Sequence, residues 1–134
     1  MCLYVTHLIP KIADKDIICY KRVRKTKIKG VYKSSIKGFE YIIRQSYTNH
    51  TDIKYTPAII KHVRLSNYLF LNYIEENMFH SYVNYVLTMS IISSNYIALK
   101  CIIPKGAYYF EGLHNNFLEG YTSSQIKILE EVKI

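Results

Sequence analysis

The sequence predicts an α+β fold: a single small domain over residues 1–134, mainly antiparallel sheet with one main helix. Three observations lead there. A chain of 134 residues and 15.8 kDa suits one domain. At 49% hydrophobic it has enough apolar surface to build a core. The apolar period also changes along the chain, from strand-like stretches at both ends to a helix-like spacing in the middle.

Asp16 to Arg24 opens apolar and finishes in alternation, which suits a strand passing from core to surface. Lys25 to Lys37, with Gly30 and the pair Ser34-Ser35, fits a loop or hairpin. Phe39 to Tyr47 is rich in aromatic and β-branched residues and predicts a second strand, followed by a polar loop from Thr48 to Thr56. Ile59, Ile60, Val63 and Leu65 read as one face of a short helix with Pro57 near its first turn. Phe79, Tyr82, Val83, Val86 and Leu87 stand at i, i+3, i+4, i+7 and i+8, the stripe of the main helix, which Ser93-Ser94-Asn95 ends. Tyr96 to Ile103 has too little polarity for an edge and predicts a buried central strand. Pro104-Lys105-Gly106 is a turn, Ala107 to Gly112 returns to the sheet, Leu113 to Gly120 is a polar loop, and Tyr121 to Val132 makes the last strand.

The charge is strongly uneven. The formal net charge is +8, but residues 1–64 hold 14 basic and 4 acidic side chains, whereas residues 65–134 hold 4 and 6. Lys21 to Lys37 contains eight cations and no acid. Such a block repels itself unless it is solvated or matched by an anion. It reads either as a solvated turn or as a docking surface for phosphate or an acidic protein. Ile, Lys, Tyr and Asn number 20, 14, 14 and 8, so a codon bias toward A/T accounts for much of the lysine and tyrosine excess. Tyr20, Tyr32, Tyr41 and Tyr47 interleave with the basic stretch, the aromatic-plus-cation pattern of single-strand binders.

Other chemistry is sparse. Three cysteines at 2, 19 and 101 and five histidines lack the spacing of a disulfide framework or zinc site, so no metal and no cofactor is expected. Cys19 and Cys101 read as buried thiols inside strands. Glu75-Glu76 and Glu130-Glu131 are sequence neighbours whose carboxylates diverge, and no nucleophile elbow is present. The reading therefore leans against an enzyme. No apolar run approaches the roughly 18 residues of a membrane-spanning helix, and the first ten residues are too polar for a secretory signal. His80 and Ser81 stand at the start of the expected main helix, where backbone N–H groups favour an anion. The expected ligand-binding set is Lys21, Arg22, Arg24, Lys25, Lys27, Lys29, His80, Ser81, Lys105, Tyr108 and Gln125.

Asp16-Ile-Ile-Cys-Tyr-Lys, Ser34-Ser35 ahead of Phe39-Glu-Tyr, Phe79-His-Ser-Tyr, and Ile102-Ile-Pro-Lys-Gly-Ala-Tyr-Tyr-Phe-Glu-Gly with Ser123-Ser124-Gln125-Ile126 carry a resemblance. Together they resemble a small uncharacterised family of gut Bacteroidetes phages and prophages, crAss-like phages included. That resemblance implies a phage or prophage accessory protein, in the cytoplasm of the infected bacterial host or in the virion. The Pro-Lys-Gly turn followed by Gln125-Ile126-Lys127-Ile128-Leu129 is also similar to the end of C3-like ADP-ribosyltransferases. There Lys127 takes the place of the catalytic Glu, which implies a degenerate enzyme. The expected function is a non-enzymatic phage accessory protein binding an anionic partner: a nucleotide-derived defence signal, nucleic acid or an acidic protein. Two alternatives stand beside it, a virion structural or packaged protein held by other phage proteins, and a degenerate transferase-like enzyme.

Overall fold

The computed structural model describes residues 3–5, 9–34, 40–48, 60–64, 70–74, 79–84, 96–114 and 118–132. Thirteen strands lie in them: β1 (Leu3–Val5), β2 (Lys11–Ile12), β3 (Ile17–Lys25), β4 (Val31–Ser34), β5 (Glu40–Ile42), β6 (Ser46–Thr48), β7 (Ile60–Arg64), β8 (Phe70–Ile74), β9 (Phe79–Tyr82), β10 (Tyr96–Ile103), β11 (Tyr108–His114), β12 (Glu119–Ser123) and β13 (Gln125–Glu131). All belong to one antiparallel sheet, ordered β6-β13-β10-β3-β9-β12-β11-β1-β8-β7, with β2 on β11 and the β4-β5 pair on β3.

The fold is therefore all-β among the described residues, and the α+β expectation is wrong. The expected main helix begins instead with β9, and residues 85–90 lie outside the described set. Within β9 the side chains of Ser81 and Tyr82 point to opposite faces and both are buried, a demand that a one-faced helix does not meet. A run apolar on both sides carries no period that separates strand from helix. The short helix expected around Pro57 gives way to β7 over the part that is described. The second expected strand is two, β5 and β6, joined by a turn in which Arg44 takes a positive φ of 66°. The loop expected after Leu113 starts late, because β11 runs on to His114. Loop residues 49–56 and the break at residues 93–95 are not among those described.

The β3 strand, the β3–β4 hairpin, the turn at Pro104 and the central position of β10 follow the sequence. β10 pairs with β3 over eight consecutive residues, from Tyr96↔Arg24 to Ile103↔Ile17, and with β13 on its other side.

The sheet cannot be flat. β12 and β13 stand four strand steps apart in the ladder, about 19 Å on a flat sheet. Yet Ser124 alone joins them. The strip β13-β10-β3-β9-β12 therefore curls until its two ends meet at that residue. Ser124 pins the corner twice, donating its N–H to the Tyr108 carbonyl at 2.9 Å and accepting the Tyr108 N–H on its hydroxyl at 3.1 Å. The concave face carries the main core, in which Cys19, Val23, Leu99, Cys101, Ile103, Ile126 and Ile128 pack with Tyr32 and Tyr41 of β4 and β5.

The convex face is also buried along β9, β12, β11 and β1, where Tyr82, Thr122, Phe110, His114, Leu3 and Val5 are all buried. Close approach there depends on two facing glycines, Gly112↔Gly120. A Cβ on Gly120 would stand 2.0 Å from the His114 ring nitrogen and 2.5 Å from the Ser81 carbonyl oxygen. One on Gly112 would stand 2.0 Å from the backbone oxygen of Tyr4.

Gly120→Ala should thus cost more than the ~1–3 kcal/mol typical of overpacking, since rigid strand backbone is one of the obstacles. Gly106→Ala meets nothing within 4 Å and pays only for its φ of +88°, about 1–2 kcal/mol. Urea denaturation of the two variants beside the parent is expected to rank them in that order.

Candidate functional site

Antiparallel register assigns each member of the basic block to a face. Along β3, Ile17, Cys19, Lys21 and Val23 enter the concave core opposite Ile103, Cys101, Leu99 and Ile97. Ile18, Tyr20, Arg22 and Arg24 take the convex face opposite Ile102, Lys100, Ala98 and Tyr96. Lys33 of β4 faces Arg24 and so joins that face.

Lys21, in the middle of the cation run, is therefore not a surface residue. It is 7% exposed, its ammonium donates to the His80 carbonyl, and it lies 5.0 Å from the centre of the Tyr41 ring. Lys25, at the strand end, pairs with Glu131 at 3.4 Å, and the same carboxylate accepts the Tyr32 hydroxyl at 2.9 Å. Lys27 and Lys29 are exposed at the hairpin tip. There the Thr26 hydroxyl knits the turn by contacts to Ile28 and Val31, and Gly30 supplies a φ of +82°.

What remains on the convex face is a strip. Arg24 and Lys33 are exposed and sit directly opposite each other, two cations where cross-strand pairing favours opposite signs. The Arg22 guanidinium lies 5.2 Å from the centre of the Tyr96 ring, a cation–π contact. Lys100 faces Tyr20, and Lys127 faces Ile102. Among the described residues, Glu40 of β5 opposite Lys33 and Glu130 of β13 opposite Lys100 are the acids on this face, one on each side. The eight-cation stretch noted in the sequence ends outside the described residues, since 35–39 are not described.

The other expected site residues do not join this strip. His80 and Ser81 lie mid-strand in β9 rather than at a helix N-terminus, so the anion site expected of a helix end does not exist there. Ser81 is wholly buried. Lys105 is exposed in the β10–β11 turn, where its N–H donates to the Asp16 carboxylate at 2.9 Å. Tyr108 opens β11 and Gln125 opens β13. These three cluster around the start of β3, while Lys27 and Lys29 follow its end. A nine-residue strand separates them, about 26 Å. Sequence reasoning did not name Tyr96 or Lys100 as site residues and named Lys127 only in the place of a catalytic Glu; all three reach the strip through strand register.

Beneath the strip lies a polar interior. Cys19 and Cys101 face each other as free thiols, each wholly buried. Burial pushes the Cys19 thiol up from 9.0 to about 11, against smaller downward pulls from the Ser81 hydroxyl and Lys21. Burial also drives Cys101 well above its ordinary value, with a further push from Cys19. Thiols held protonated in this way are poor nucleophiles. On the other side of β9, the buried His114 ring nitrogen Nε2 lies 2.7 Å from the Ser81 carbonyl, which can only accept, so Nε2 carries the proton. Among the described residues no three His, Cys, Asp or Glu side chains gather as a metal site, and no helix is long and apolar enough to cross a membrane.

No family model, curated protein or solved structure matches the chain.

The buried thiols fix a pH dependence. Cys19 and Cys101 lose their protons more readily in the unfolded chain than in the folded one. Stability held below about pH 9 should therefore fall as pH rises toward the folded Cys19 value near 11. Tyr32, pushed up to about 12 by burial and by Glu131, extends the loss. Urea midpoints measured from pH 7 to 11 should decline above 9, and Cys19→Ala should decline less steeply.

Proposed function

We propose that the chain is a non-enzymatic accessory protein that binds nucleic acid through the convex face of β3, β4 and β10 and the adjoining hairpin tip. The carrying observation is the Arg24–Lys33 pair. Two exposed cations held opposite each other on adjacent strands repel one another in the free protein, and a phosphate between them relieves that repulsion. Arg22, Lys100, Lys27 and Lys29 extend the same positive field along the sheet and over the tip. Cations spread along adjacent strands suit a polymer, which meets several of them at once, better than they suit a single small anion. The partner classes considered from sequence thus narrow from defence signal, nucleic acid or acidic protein to nucleic acid. Buried, protonated thiols and a lysine, Lys127, where the transferase motif has its Glu give no support to transferase chemistry. The phage resemblance implies such a protein either in the cytoplasm of an infected bacterial host or in the virion.

Electrophoretic shift and anisotropy measurements over a salt series test this reading. Affinity should fall linearly with salt on a log–log scale, by roughly 0.7 to 0.9 in slope per phosphate contacted. Arg24→Ala and Lys33→Ala should each reduce that slope by about one contact, whereas Lys105→Ala, at the far end of β3, should leave it unchanged. Absence of binding at low salt, or equal effects of all three variants, would overturn it.

A further inference from the structure

The strip is not uniformly basic. Its cations alternate with apolar and aromatic groups that a phosphate backbone alone does not need. Along β3 the convex face reads Ile18, Tyr20, Arg22, Arg24, and along β10 it reads Ile102, Lys100, Ala98, Tyr96. Ile18 is 51% exposed. Tyr20 and Tyr96 are half-buried, and Arg22 lies against the Tyr96 ring, a planar guanidinium beside a planar phenol. The acids Glu40 and Glu130 stand on either side of this path. The favourable route therefore runs lengthwise along β3 and β10, from the Lys27 and Lys29 tip toward Ile18. From Arg24 to Ile18 the route covers about 20 Å.

We propose, resting on the nucleic-acid reading above, that the ligand is single-stranded and lies along β3 and β10. Its phosphates meet Arg24, Lys33 and Lys100, and its bases pack on Tyr96 with Arg22 and on Tyr20. A duplex keeps its base faces stacked inside and offers a sheet surface only phosphates and sugars. It would make no use of the ring faces of Tyr20 and Tyr96 or of Ile18. A single strand has free base faces, and aromatic rings and arginine planes on an open sheet are the groups that receive them. Stacking of this kind is indifferent to base identity, so little sequence preference is expected.

The test is fluorescence anisotropy with the full chain, an oligothymidylate of roughly 15 nucleotides, and a mixed-sequence duplex of equal length at the same salt concentration. The single strand is expected to bind at least tenfold more tightly. Tyr96→Ala and Tyr20→Ala should each weaken single-strand binding by roughly five- to a hundredfold without changing the salt slope. Tyr96→Phe, which keeps the ring and its packing, should bind as the parent does. Equal affinity for both forms, or tyrosine variants that bind the single strand like the parent, would overturn the single-strand proposal and leave the nucleic-acid reading standing. Failure of the parent to bind either form overturns both. Should Tyr96→Ala not fold, loss of single-strand binding in folded Tyr20→Ala and its retention in Tyr20→Phe decide the question.

Discussion

The seam between β3 and β9 is the thinnest joint in the curled strip, and Lys21 is what crosses it. The two strands share a single register pair, Tyr20↔Tyr82, against eight between β3 and β10. One ladder pair is a weak joint for a strip whose ends must meet at Ser124. The Lys21 ammonium supplements it by donating to the His80 carbonyl of β9, and its charge rests against the Tyr41 ring of β5. A buried cation is costly unless well partnered. Here a carbonyl and a π face receive it at the point where the sheet would otherwise be held by very little.

This seam also sets the character of the interior. With an ammonium between β3 and β9, the neighbouring positions are small and polar or polarisable: Cys19, Cys101, Ser81 and Ser123 are buried beside fully apolar Leu99, Ile126 and Ile128. On the far side of β9 the packing is tighter still, because the His114 ring occupies the space that a side chain at position 120 would need. β9 is thus held from both faces, by Lys21 through the His80 carbonyl and by His114 through the Ser81 carbonyl. That double grip explains why a short strand can connect the two halves of the sheet.

The strands that were legible in the sequence are those with a clear contrast between their faces. β3 shows Ile17, Cys19 and Val23 on one face and Tyr20, Arg22 and Arg24 on the other, and its hairpin carries Gly30 at the turn. β10 could be placed centrally because only Lys100 interrupts its apolar run. β9 was illegible for the opposite reason: both faces are buried, so Phe79-His80-Ser81-Tyr82 has no alternation, and a chance i, i+3, i+4 spacing of aromatic and branched residues imitates a helix. The break at Ser124 was hidden too, since a corner between two strands of one hydrophobic pattern needs only a hydroxyl to hold it. For the candidate site, the cations were visible as a block but their division between core and surface was not, because a lysine's burial depends on what lies opposite it.

That division comes from the strand period itself. Consecutive residues of β3 enter opposite faces, so the same register that carries Lys21 into the seam carries Arg22 and Arg24 onto the convex strip. A slip of one residue against β10 would expose Lys21 and force two arginines toward a core lined by Leu99 and Cys101, where the His80 carbonyl and the Tyr41 ring are placed for one ammonium. The surface charge and the closure of the sheet are therefore one specification. The order of Arg22, Arg24 and Tyr96 along the strip is thus fixed by the same backbone pairing that frames the core.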